Sequence, residues 1–365
     1  MSTASDRAAI RRASQQARNA MRKLDAEGAA ELLQIYQAAA DQVRAAIRRA
    51  ASAGDTVPQH HLRPLLAQID ELVTAMGAQR DALIAQQLDN AATLGVRPYT
   101  LQGVAATGRD AQAVLTSETA MRVHAAAVDT VRNFVAADGL RLSDRLWRLD
   151  QGAREALSRA ITNAVVQGWD ASRAAADLAY GGQAVPAQVA GRLAASRSGA
   201  LVRLGDLLAG QDGSEVWKAE RVLRTEINRA HGEAYMQGGE GTPGFAGWRY
   251  LLSPQHPKPD ICDLLAAQNL YGLGPGVYPT RAACPWPAHP NTLSFVEMVF
   301  ESEVTDADRA GKETVTDAMG RMPPDVRVGI LGEEKAALWS EGKISQGMVR
   351  SPLYRVKERL ARQRR

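Results

Sequence analysis

The chain has 365 residues, of which 45% are hydrophobic, 23% charged and 5% aromatic, with a formal net charge of +4. That balance belongs to a folded globular protein of about two domains, and the abundant alanine with few aromatics argues against a β-rich core. No run of about 18 apolar residues is present, so a transmembrane helix is not expected, and two cysteines do not make a disulfide framework.

In chain order, residues 1–26 are polar and read as a basic, flexible N-terminus without the apolar run of a secretory signal. From Ala29 to Ala51 the residues Leu32, Leu33, Tyr36, Ala40, Val43 and Ile47 recur at three- and four-residue steps, which predicts a helix. "SAGDTVPQ" breaks it. A second helix is predicted from about His61 to Leu88, with Leu65, Ile69, Leu72, Val73 and Met76 on one face, so the two read as an αα-hairpin. A looser connection comes next, then helix from Val114 to Phe134. Ser143 and Asp144 are candidate N-caps of a short helix, and Leu157, Ile161, Ala164 and Val165 mark the core face of the next. A further helix is expected from Ser172, with a break at Gly181, Gly182 and Pro186.

The helix from Ser214 to about Gln237 has an apolar stripe of Val216, Ala219, Leu223, Ile227, Ala230 and Ala234, and Gly238-Gly239 is expected to stop it. Its polar side carries Arg221, Arg224, Glu226 and Arg229, either a solvated face or a charge pair locking the helix to the Pro-rich segment downstream. The texture then changes. Eight of the sixteen prolines lie between Pro254 and Pro290, together with both cysteines. "FAGWRYLLS" and "TLSFVEMVF" read as strands able to pair, making residues 245–300 a small hairpin-like module with a long Pro/Gly loop. Past Glu303 the chain is polar, with one short helix expected around Glu333–Glu341 and a basic tail holding Arg355, Lys357, Arg359, Arg362, Arg364 and Arg365 as candidate DNA contacts.

The expected fold is therefore mainly α: alanine-rich helical hairpins or a bundle, with a small α+β Pro/Gly-rich module of two or a few strands. The expected regions are 1–26, a helical region at 27–140, a domain at 141–300 and an extension at 301–365.

Enzyme motifs fail. There is no phosphate-binding G-x-x-x-x-G-K-[ST], no H-E-x-x-H helix and no G-x-S-x-G elbow. "GLGPGV" is interrupted by Pro275 and reads as a plain turn. The Pro-rich stretch does offer metal-type ligands in Cys262, Cys284, His289 and His256, with Asp260 close by. The spacing lacks a C-x-x-C knuckle, and two buried, reduced cysteines remain the alternative. Structural zinc is the one candidate cofactor.

The combination "RVLRTEINRAHGEAY", "GWRYLLSPQHPKPDICDLLA", "GVYP" and "PWPAHPNTLSF" resembles the phage head morphogenesis family, the Mu F-like minor head proteins of tailed bacteriophages. The matching positions are Arg224, Glu226, Tyr235, Trp248, Asp260, Cys262, Pro287, His289 and Pro290. The resemblance covers about residues 140–350 and is specific over 214–300. Many members continue His-Pro with Asn-Cys-x-Cys; here Thr292 and Ser294 stand in the cysteine places, which removes two metal ligands of that pattern. The resemblance implies a non-enzymatic, low-copy protein of the phage head. It would act in procapsid assembly in the host cytoplasm, with the portal and major capsid proteins as partners, contact with packaged DNA, and no membrane or small-molecule substrate. The alternative is a metal-assisted hydrolase or toxin-type effector using His256, Asp260, Cys262 and His289.

Overall fold

A computed structural model describes residues 4–50, 57–109, 111–136, 138–166, 208–210, 213–254, 256, 258–289, 292 and 294–363, the side chains of 160, 163–166 and 363 excepted. It is mainly helical, with a small three-stranded antiparallel sheet near the C-terminus. The helix expected from Ser172 and the break at Gly181, Gly182 and Pro186 lie outside the described residues. Among the described residues, no helix is long and apolar enough to cross a membrane.

The chain forms two compact units, each assembled from separated segments. One comprises Arg22–Asn90 and Asp129–Ile227. Its described helices are the later part of α1 (Ala4–Ala50), most of α2 (Leu62–Val96), the end of α4 (Ser117–Asn133, which follows the short α3 at Leu101–Ala105), α5 (Leu142–Val166) and the first half of α6 (Glu215–Gly239). Its core is built from the periodic residues: Leu32, Tyr36, Val43, Leu65, Ile69, Val73, Met76, Leu157, Leu223 and Ile227 are all buried. The two short helices anticipated around Ser143 and Leu157 are one continuous helix, since nothing between them breaks the period.

A charged centre sits inside this apolar packing. The Arg80 side chain is fully buried and donates to Asp150 at 2.8 Å and to Asp81 at 2.6 Å. The Tyr36 hydroxyl is buried beside it, its pKa pushed up to about 12 by loss of water. Gly77 leaves room for Asp150: a Cβ there would stand 2.8 Å from the carboxylate.

The second unit comprises Met1–Met21, Ala91–Val128 and Asn228–Arg365. The first of these segments corrects the expectation of a flexible N-terminus over residues 1–26, because α1 already begins at Ala4. Ala9, Ile10, Ala13, Ala17 and Met21 form a buried stripe of mostly small side chains. The arginines between them bind the sheet: Arg18 lies 3.4 Å from Glu297 and 5.1 Å above the Phe295 ring, and Arg11 pairs with Glu303. Polarity read as looseness was in fact the polar side of an amphipathic helix.

Within this unit β1 (Phe245–Leu251) is the central strand, flanked antiparallel by β2 (Val277–Tyr278) and β3 (Phe295–Phe300). Trp248 faces Tyr278 on one side and Met298 on the other. The sheet has the few strands expected, although β2, only two residues long, was not singled out in the sequence. "GLGPGV" is a turn, with Gly272, Gly274 and Gly276 at φ of +70°, +107° and +68°, as its reading as a plain turn required. At Gly276 a side chain is also excluded by space, since a Cβ would come within 2.6 Å of the Ala266 carbonyl.

The segment after Glu303 is far richer than the single short helix expected. It holds α8 (Asp306–Ala310), α9 (Val315–Gly320), α10 (Pro324–Leu331), α11 (Glu333–Ser340) and α12 (Leu353–Gln363). Capping boxes start two of them, Thr305 with Asp308 and Thr314 with Asp317. Met319, Met322, Leu331, Ile344, Met348 and Val356 close a separate small core with Leu264. Val356 is fully buried, so the basic tail is a docked helix rather than a free extension.

Candidate metal centre

The module around the sheet is organised by aromatic packing. Tyr235 of α6 stands 5.4 Å from Tyr99 and 5.2 Å from Trp248, and its hydroxyl accepts from the Met298 amide at 3.3 Å and from Ser14 Oγ at 3.2 Å. Trp248, Tyr250, Cys262, Tyr278 and Trp286 continue the same core. The Gly238-Gly239 pair, expected to stop α6, is inside it. α6 does end at Gly239, and side chains on this pair would strike Tyr99 and Trp248, so the glycines also allow close packing.

Three of the sequence-selected residues gather at one edge of this core. Asp260 is the N-cap of α7 (Ile261–Ala267), and its Oδ1 accepts from the Cys262 amide at 2.7 Å. Its Oδ2 lies 3.2 Å from His289 Nε2. That same nitrogen is 3.2 Å from Cys262 Sγ. The thiol is fully buried, receives a hydrogen bond from the Tyr250 hydroxyl at 3.0 Å and has Thr292 Oγ1 at 3.8 Å. The Tyr250 phenol is pushed well up by burial and by Cys262, so it acts as a donor.

His256 belongs to an adjoining group. Its Nε2 is 2.9 Å from Asp263 Oδ2 and 3.8 Å from Asp260 Oδ1, while Asp263 also receives the Asp260 amide at 2.8 Å. Asp263 closes a capping box with Asp260, a D-x-x-D signal readable in the sequence but missed. Tyr250 was missed too; strand alternation from the buried Trp248 puts it on the same face.

Cys284 must be removed from the ligand set. It joins neither group of metal-capable side chains among the described residues, and the two cysteines are free thiols. Burial pushes the Cys284 thiol up to about 12, so it stays protonated as a small apolar side chain beside Trp286.

Of the two readings of the polar side of α6, a solvated face or a charge pair locking it to the module, the charge pair exists but is differently placed. Arg224 bonds Asp25 at 2.9 Å and Glu220 at 2.7 Å, both within the other unit. Among the described residues, links from α6 to the Pro-rich loop include an ion pair of Glu233 with Arg281 and a long 3.4 Å bond from Asn228 to the Thr292 carbonyl. Glu226 and Arg229 are buried in the helix. Pro287 follows Trp286 through a cis peptide, and Pro290 lies outside the described residues.

His231 lies next to Tyr235, and its Nε2 is buried with no hydrogen-bond partner among the described residues. Burial, with Arg18 nearby, takes its pKa from 6.5 down to about 4. The folded chain therefore keeps the ring neutral, while the unfolded chain takes up a proton first as the pH falls. The stability tied to this ring is complete above 6.5 and lost progressively toward pH 4, up to about 3 kcal/mol. His231→Gln should flatten the fall in urea midpoint between pH 7 and 4.5 relative to the parent; parallel profiles would reject this role.

The cluster can act in two chemical ways. A Cys–His–Asp relay needs cysteine and aspartate on different ring nitrogens, so that one orients the base that serves the other. Here both approach Nε2, and the sulfur is fully buried. Three electron-pair donors directed at a shared space suit a cation better than a nucleophile. Comparison with models of known protein families, with curated proteins and with solved structures gave no match.

Proposed function

We propose that this chain is a minor head protein of a tailed phage or prophage, acting in procapsid assembly near the portal and touching the packaged DNA. The reading rests on the motif resemblance. The observation that best supports it is that Tyr235, Trp248 and Cys262, far apart in sequence, share one core with Asp260 and His289 at its edge. That is how a domain signature behaves, whereas residues picked by chance from a helical protein would scatter. Its portal and capsid partners would be met through helical surfaces, so the mechanism is binding rather than turnover.

Quantitative mass spectrometry of procapsids and mature heads tests this. A few copies per particle, co-purifying with the portal, are expected; absence from both particle types would overturn the reading.

For DNA contact the surface is α12. Arg355, Lys357, Arg359 and Arg362 are exposed on it, although Lys357 pairs with Glu334 and Arg362 with Glu358. Arg364 and Arg365 lie outside the described residues. Because Val356 anchors the helix, deleting it would confound binding with folding. The cleaner variant is Arg355→Gln/Arg359→Gln/Arg362→Gln. It should lower nonspecific DNA affinity and reduce the log–log salt slope by up to about 3. An unchanged slope would assign the charges to solubility alone.

A further inference from the structure

We infer that Asp260, Cys262 and His289 form a binding site for one zinc-class divalent cation, held by a carboxylate oxygen, a thiolate and an imidazole nitrogen. Ordinary zinc bond lengths of about 2.0–2.3 Å, set at tetrahedral angles, place nitrogen and oxygen ligands about 3.3 Å apart and sulfur and nitrogen about 3.5 Å apart. The spacings here are 3.2 Å for Asp260 Oδ2 to His289 Nε2 and 3.2 Å for His289 Nε2 to Cys262 Sγ. These two spacings are therefore within a few tenths of an ångström of what the ion requires, and the three ligand atoms all lie within 4.8 Å of one another.

The surroundings fit the same role. The Tyr250 hydroxyl donates to the sulfur and so holds it in place facing the other two ligands. The Cys262 amide holds Asp260 through Oδ1, leaving Oδ2 for the ion. A sulfur ligand selects zinc-class metals over magnesium or calcium. On binding, Cys262 gives up its proton to solvent, its sulfur lone pair forms the metal bond, and the His289 ring binds as the neutral form. Asp260 and His289 are about one-third exposed, so water can complete the fourth position. The ion would tie the end of the Pro-rich loop to the start of α7, where the module has few hydrogen-bonded strands to hold it. This inference goes beyond the assembly reading and does not rest on it, because it concerns the isolated protein.

The test is titration of the full chain with cobalt(II), after dialysis against a chelator and in the presence of a non-thiol reductant. One cobalt per chain, with a near-ultraviolet sulfur-to-metal charge-transfer band, is expected. Cys262→Ser should abolish the band and Cys284→Ser should leave it intact. Tyr250→Phe should weaken binding by about tenfold or more. Should Cys262→Ser fail to fold, His289→Gln at its partly exposed position carries the test, with weaker cobalt binding expected. A folded parent chain that shows no charge-transfer band overturns the proposal. So does a band that follows Cys284, or unaltered affinity in His289→Gln.

Discussion

Trp248→Ala is expected to destabilise the sheet module by about 3–5 kcal/mol, the usual range for emptying a buried aromatic site. The indole is fully buried at the centre of β1. It packs on Phe245 at 4.9 Å and on Tyr235 at 5.2 Å, so the void would open between the sheet and α6. No neighbouring strand can slide in, because β2 and β3 already flank β1 on both sides. Cys262 belongs to the same core, which gives a local readout. Its alkylation rate under native conditions should rise sharply, together with a lower urea midpoint. A loss under about 1 kcal/mol would mean that the module does not depend on this core.

Asp150→Ala should cost a similar amount, about 3–5 kcal/mol, in the other unit, because it leaves a fully buried guanidinium without one of its two carboxylates. The surviving partner, Asp81, is 46% exposed and sits on the neighbouring position of the same helix, so it cannot take over the vacated side. The physical claim is sharper than loss of a contact. Breaking a buried pair is costly, whereas removing both charges together can be close to neutral. Arg80→Met/Asp150→Leu should therefore recover most of the stability lost in Asp150→Ala when both are unfolded in urea. A double variant as unstable as the single one would show that the pair contributes through its specific geometry instead.

Much of the helical scaffold was legible because its signal is local. Leu32, Tyr36, Val43, Leu65, Ile69 and Leu223 repeat at helical spacing, and all of them are buried. Trp248 and the flanking branched residues likewise announced β1. The N-terminal helix was missed because its buried stripe is written in alanines, whose burial is set by how closely another element approaches and not by their own hydrophobicity. The helices past Glu303 were missed for a different reason: each is short, so period counting had little to count, although the Thr–Asp capping pairs at 305–308 and 314–317 were available as start signals.

At the candidate site the sequence by itself determined the cast. It placed Asp260, Cys262 and His289 in one Pro-rich stretch and supplied the ligand chemistry that zinc-class ions require. Only the tertiary structure decided which of these residues meet. His289 reaches Cys262 across 27 positions because the loop returns along β1 into β3, and Cys284 is instead turned into the Trp286 side of the core. The same division holds for the charges of α6, where Arg224 finds Asp25 nearly two hundred residues away, while Glu233 pairs with Arg281. Residue type and spacing set what a side chain can do within a few ångströms of its own backbone. Which partner fills that space depends on chain return over long separations, and local periodicity carries no record of it.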